Sequence, residues 1–147
     1  MLHKITSLVL AAGLLTLGAC NNDDDDATPA SNMVNVAATL DGKQEVPANS
    51  STATGAMTGT YDKSTNTITY RVTYQGITPL AGHLHVGAPT VNGGTFVTFA
   101  NVGTSPITGT ATISDADEVK LLSGETYVNL HTQAYPNGEI RGNMTVK

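Results

Sequence analysis

Two short stretches carry the residues able to do chemistry. The first is Ala81-Gly82-His83-Leu84-His85-Val86-Gly87, the second Tyr127-Val128-Asn129-Leu130-His131-Thr132. Successive side chains of a strand point to opposite faces. His83 and His85 therefore share one face, with Leu84 and Val86 on the other. In the second stretch Val128 and Leu130 point one way, and Tyr127, Asn129 and His131 the other. The fourth histidine, His3, falls in a segment read below as a cleaved leader, so every histidine of the mature chain belongs to these two stretches. Same-face residues two apart stand roughly 6 to 7 Å apart at the backbone, and a neighbouring strand adds a third within about 5 Å laterally. Three imidazoles converging in this way form a nitrogen-only site, which favours Cu(II), with Zn(II) and Ni(II) behind it. The competing reading is a polar cluster in which each ring bonds to a carboxylate or a backbone group.

Pairing the last two strands around Gln133–Gly138 places His131 opposite Glu139 and Asn129 opposite Arg141. This nominates Glu139, Arg141 and Asn129 as the groups surrounding the histidines. Glu139 could accept the second N–H of an imidazole or complete the coordination. The alternative is a Glu139–Arg141 ion pair that only solvates the face, worth at most about 1 kcal/mol if exposed.

The elements that must position these residues are short strands. The domain begins at Met33, where Val34, Val36, Ala38 and Leu40 alternate with Asn35, Ala37 and Thr39. Asp41-Gly42 turns the chain, and Lys43–Ser50 reads as an irregular edge or loop around Pro47, with Gln44 and Glu45 as ordinary loop residues. Segments 55–61 and 66–74 form a hairpin around Asp62–Thr65. Tyr61, Tyr70 and Tyr74 read as core residues. Gly87–Gly94 is a loop, 95–100 and 107–113 are strands, and Ser114 caps one short helix that Gly124 ends, with Val119, Leu121 and Leu122 as its apolar side. Segments 125–132 and 139–146 close the chain as a hairpin. About eight strands and one small helix make an all-β chain, an antiparallel sandwich or flattened barrel. No Gly-rich phosphate loop or nucleophile elbow is present.

The N-terminus reads differently. Lys4, the apolar run Leu8–Leu15 and small residues up to Ala19 form a secretion signal, too short for a membrane span. Cys20 is the single cysteine, so no intramolecular disulfide can form. Leu17-Gly18-Ala19-Cys20 resembles the lipobox of bacterial lipoproteins, which implies cleavage before Cys20 and its lipidation. A buried free thiol is the alternative. Residues 20–32, with Asp23–Asp26, read as a solvated acidic tether. The acidic run also resembles an export tag for the outer membrane surface of a Gram-negative cell, with a simple spacer as the equal alternative. A calcium site is disfavoured because alternating ligands and a Gly turn are missing. The chain has 7 basic and 12 acidic residues, a net of -5. Without Lys4 and the four tether aspartates, 6 basic and 8 acidic residues remain. No basic face suited to nucleic acid is visible in the sequence.

Four pieces, Leu40–Pro47, Gly82–Gly87, Tyr127–Thr132 and Pro136–Gly142, together resemble the CHRD domain, first described in chordin and also found in microbial secreted proteins. The resemblance spans almost everything after the tether, so residues 33–147 are read as one such domain. It implies an immunoglobulin-like fold with distant similarity to copper/zinc superoxide dismutase. In that comparison His83 and His85 match a His-x-His copper pair, His131 a later ligand and Arg141 an anion-guiding arginine. The bridging and zinc histidines and the disulfide have no counterpart. Three functions are therefore open: a lipid-anchored module holding one copper ion (zinc as alternative) through His83, His85 and His131, a dismutase-like copper enzyme, or an adhesion module without metal.

Overall fold

A computed structural model describes residues 31–147. The leader at 1–19, Cys20 and most of the tether lie outside the described residues. The elements are β1 (Met33–Asp41), β2 (Thr54–Asp62), β3 (Thr67–Gln75), β4 (Ala81–Val86), β5 (Thr95–Thr98), β6 (Ile107–Thr112), α1 (Asp115–Leu122), β7 (Thr126–His131), β8 (Ile140–Asn143) and β9 (Thr145–Val146). All strand pairs are antiparallel, in the order β5-β4-β7-β8-β1-β2-β3-β6, with β9 also on β1. The all-β sandwich or flattened barrel expected from the sequence is the fold found.

The sheet curls on itself because its strands bury one face. Leu84, Val128 and Leu130 from one end of the order share a single core with Met57, Ile68 and Val72 from the other. Each fully buried aliphatic side chain contributes about 1.5–3 kcal/mol. The ends of the order nearly meet: the ring of Phe99, just past β5, lies 4.7 Å from that of Tyr70 in β3. Gly55 and Gly59 lie in the inward row of β2, where a Cβ would press on Ile140 and Val36. Tyr61 and Tyr70 are buried and Tyr74 is half-buried, donating its hydroxyl to Val102 O at 2.7 Å.

Local signals act as anticipated. Asp41 Oδ1 accepts from Lys43 N (2.9 Å) and Gln44 N (3.0 Å), closing a single 3-10 turn over Gly42–Gln44. Asn66 takes φ 52 at the end of the β2–β3 turn. Ser114 Oγ accepts from Asp117 N at 3.2 Å to start α1. Two expectations need correcting. The helix enters the core through Leu121 alone, leaving Val119 65% and Leu122 40% exposed. The last segment is also two strands, not one: it breaks at Met144, whose side chain turns into the core, and β9 continues on β1.

Candidate metal centre

The site sits on the face of β4, β7 and β8 away from the core. Register sets its rows: His83 opposes Asn129, which opposes Arg141, while His85 opposes Tyr127, which opposes Asn143. His131 faces Ala81. A methyl group there leaves room for the His131 ring to lean along β4, and His131 Nε2 comes to 3.1 Å from His83 Nδ1. The His83 and His85 rings meet edge to face at 5.3 Å between centroids. One ring nitrogen from each of His83, His85 and His131 can be chosen so that all three lie within 4.8 Å of one another.

Backbone carbonyls set the proton positions. His131 Nδ1 is 3.0 Å from Pro136 O, and His85 Nδ1 is 3.0 Å from Gly93 O. A carbonyl only accepts, so both Nδ1 atoms carry the hydrogen and both Nε2 atoms keep a lone pair. His85 Nε2 is buried with no hydrogen-bond partner. Burial is the main force holding all three imidazoles below their ordinary pKa, reinforced for His83 by His131 and His85. The rings are thus kept neutral, the form that ligates metal.

This face is roofed by loops. Asn129 is 3% exposed and Arg141 fully buried. The Arg141 guanidinium donates to Asn92 Oδ1 (3.1 Å), Ala88 O (3.0 Å) and Val91 O (3.1 Å), all in the β4–β5 loop. Its Cζ lies 3.4 Å from the centre of the Tyr127 ring, and the other side of Tyr127 stacks on His85 at 4.8 Å and 4°. The Tyr127 hydroxyl accepts from Gly93 N at 3.2 Å. Arg141 therefore fixes the loop that supplies the Gly93 carbonyl to His85. Its two terminal nitrogens face this loop, so turning them to guide an anion toward the histidines would require breaking these bonds.

Glu139 lies one residue outside β8, where the pleat no longer dictates direction. Its carboxylate accepts from Ser51 Oγ at 2.7 Å and from Thr132 Oγ1, and the Pro136 carbonyl stands beside the His131 N–H in its place. Hydropathy gave no sign of Glu45, which is 6% exposed beneath the 132–139 loop. Gly138 at φ +130 leaves space that a Cβ would deny to the Glu45 carboxyl. Burial pushes that carboxyl up to about 7, with Arg141 partly offsetting it. The one sequence signal for Glu45 was its place within the family-like run Leu40–Pro47.

Comparison with known proteins gives one positive result. The CHRD domain model matches residues 36–144. The chain belongs to the CHRD domain family. Neither the curated proteins nor the solved structures returned a match. The match runs from Val36 within β1 to Met144, so the three histidines, Asn129, Glu45 and Arg141 all lie within the CHRD domain.

Proposed function

We propose that this CHRD domain is a metal-binding module that holds one ion, copper by preference and zinc as the alternative, through His83 Nδ1, His85 Nε2 and His131 Nε2. The observation that carries the reading is the pair of Nδ1–H groups committed to the Gly93 and Pro136 carbonyls. Metal-ligating histidines usually donate their second N–H in this way, which aims the other nitrogen at the ion. The spacing of one pair agrees: two nitrogens about 2.0 Å from one ion stand about 3.1 Å apart when they subtend roughly 100°. The His83–His131 contact is 3.1 Å. An all-imidazole donor set suits copper, zinc and nickel.

Copper would supply one-electron redox chemistry. The surrounding residues do more to hold than to process, since Arg141 is engaged in building the loop over His85. Binding is therefore the functional statement, ahead of a dismutase-like activity. The leader and Leu17-Gly18-Ala19-Cys20 support a lipid anchor at Cys20 and an extracytoplasmic location. The acidic residues behind Cys20 support display at the outer membrane surface.

A second reading is favoured by the same 3.1 Å contact, because an N–H···N bond from His83 to His131 has that length too. The domain would then be an adhesion or structural module with no metal. Calorimetric titration of the purified protein with Cu(II) and Zn(II) separates the two. Binding at one ion per chain, lost in His131→Ala, supports the metal module, and no heat with either ion supports the structural one.

A further inference from the structure

Five buried side-chain polar atoms among the described residues have no hydrogen-bond partner: Glu45 Oε1, His85 Nε2, Thr126 Oγ1, Asn129 Oδ1 and Arg141 Nε. Buried polar groups are nearly always satisfied, so a cluster of exceptions marks a place where something binds. Thr126 belongs to the opposite face of β7. The other four belong to residues that neighbour one another. Asn129 directly opposes His83 on one side and Arg141 on the other, and its side chain lies near Glu45 and the His85 ring.

We propose that Asn129 is a fourth donor to the ion held by His83, His85 and His131, with Oδ1 as the ligand atom. The inference rests on the metal reading above and adds the residue that completes the site. Its first support is position. Asn129 directly opposes His83 and lies two residues before His131 on the same face of the same strand, so it stands among the three imidazoles. Its second support is the chemistry of the neighbouring atoms. The His85 Nδ1 hydrogen is given to Gly93 O, so His85 Nε2 presents a lone pair. The Asn129 side chain, whose Oδ1 also presents only lone pairs, is beside that ring. Two unpartnered acceptors buried side by side are costly in a protein interior. A shared cation removes the cost for both at once. Glu45 neighbours the same amide, and its carboxylate attracts the Asn129 NH2 group, leaving Oδ1 free to ligate. Three imidazole nitrogens and one carbonyl oxygen make a four-coordinate set that copper and zinc both accept.

The experiment compares wild type, Asn129→Ala, Asn129→Asp and His131→Ala, each titrated with Cu(II) and with Co(II) as a spectroscopic probe. Wild type is expected to take one ion. In Asn129→Ala affinity falls about 10- to 100-fold, the scale seen when a supporting metal-site partner is removed, and the Co(II) visible spectrum changes. Asn129→Asp, which offers an oxygen at the same place with added charge, binds at least as tightly as wild type. Wild-type affinity and spectrum in Asn129→Ala overturn the inference while leaving the three-histidine site standing. An Asn129→Asp protein as weak as the alanine variant also overturns it. Should Asn129→Ala fail to fold, the aspartate variant decides alone by the same criterion. A wild type that binds neither ion removes the metal reading and this inference with it.

Discussion

Ala81 stands directly opposite His131 across β4 and β7, and its small side chain is what lets the His131 ring reach His83. Replacing it with Ala81→Leu fills that space and parts the two rings. The expected outcome is a metal affinity lower by about 10- to 100-fold. The added bulk also costs about 1–3 kcal/mol of stability. Metal titration together with urea unfolding checks both, and unchanged affinity in a folded variant would show that Ala81 does not set the His131 position.

Arg141 is a fastener for the 87–94 loop. Arg141→Met keeps much of the bulk but leaves Asn92 and the Ala88 and Val91 carbonyls without their charged donor. The expected loss is about 3 kcal/mol or more in urea unfolding, since each bond to a charged group is worth roughly 1.5–3 kcal/mol. Amide exchange across residues 87–94 should accelerate as well. Wild-type exchange in that loop contradicts the role assigned to Arg141.

Much of this arrangement was legible in the sequence, and the remainder was not for identifiable reasons. Strict alternation in 67–74 and the two histidine stretches fixed which residues share a face, because the pleat has a period of two and tolerates no slip when one face is buried. The roofing loops have no such period. Arg141 was assigned to the histidine face from parity alone, and its partners come from a loop some 50 positions away. Glu139 obeyed parity only as far as the ladder extended. Glu45 is buried by the 132–139 loop folding over it, a tertiary event that local composition cannot announce. The helix was over-read because Val119 and Leu122 are apolar, yet α1 is so short that Leu121 alone reaches the core.

Stability should depend on pH through Glu45 in a definite direction. Its folded pKa is raised from 4.5 to about 7, so between these values the native state binds more protons than the unfolded chain. Stability then falls as pH rises through that window. Glu45→Gln removes this dependence. The expected result is that the variant gains stability relative to wild type on going from pH 4.5 to pH 8, measured by urea midpoints at both values. Parallel pH profiles for the two proteins contradict the assignment.

The histidines act in the opposite sense. Burial lowers all three pKa values below the unfolded value, so acidification below about 6.5 protonates the unfolded chain first and erodes native stability. Protons also compete with metal for the same nitrogens. Affinity for Cu(II) should weaken progressively as pH is lowered into that range, read by competition with a chelator at each pH. An affinity flat from pH 7 to pH 5 would falsify ligation by these imidazoles.

Electron paramagnetic resonance of the Cu(II)-loaded protein reads the ligands themselves. The expected spectrum, at one copper per chain, shows nitrogen hyperfine coupling from imidazoles, and the coupling pattern changes in each of His83→Ala, His85→Ala and His131→Ala. A protein that takes up no copper, or one whose spectrum is indifferent to all three substitutions, contradicts a metal centre built from these histidines.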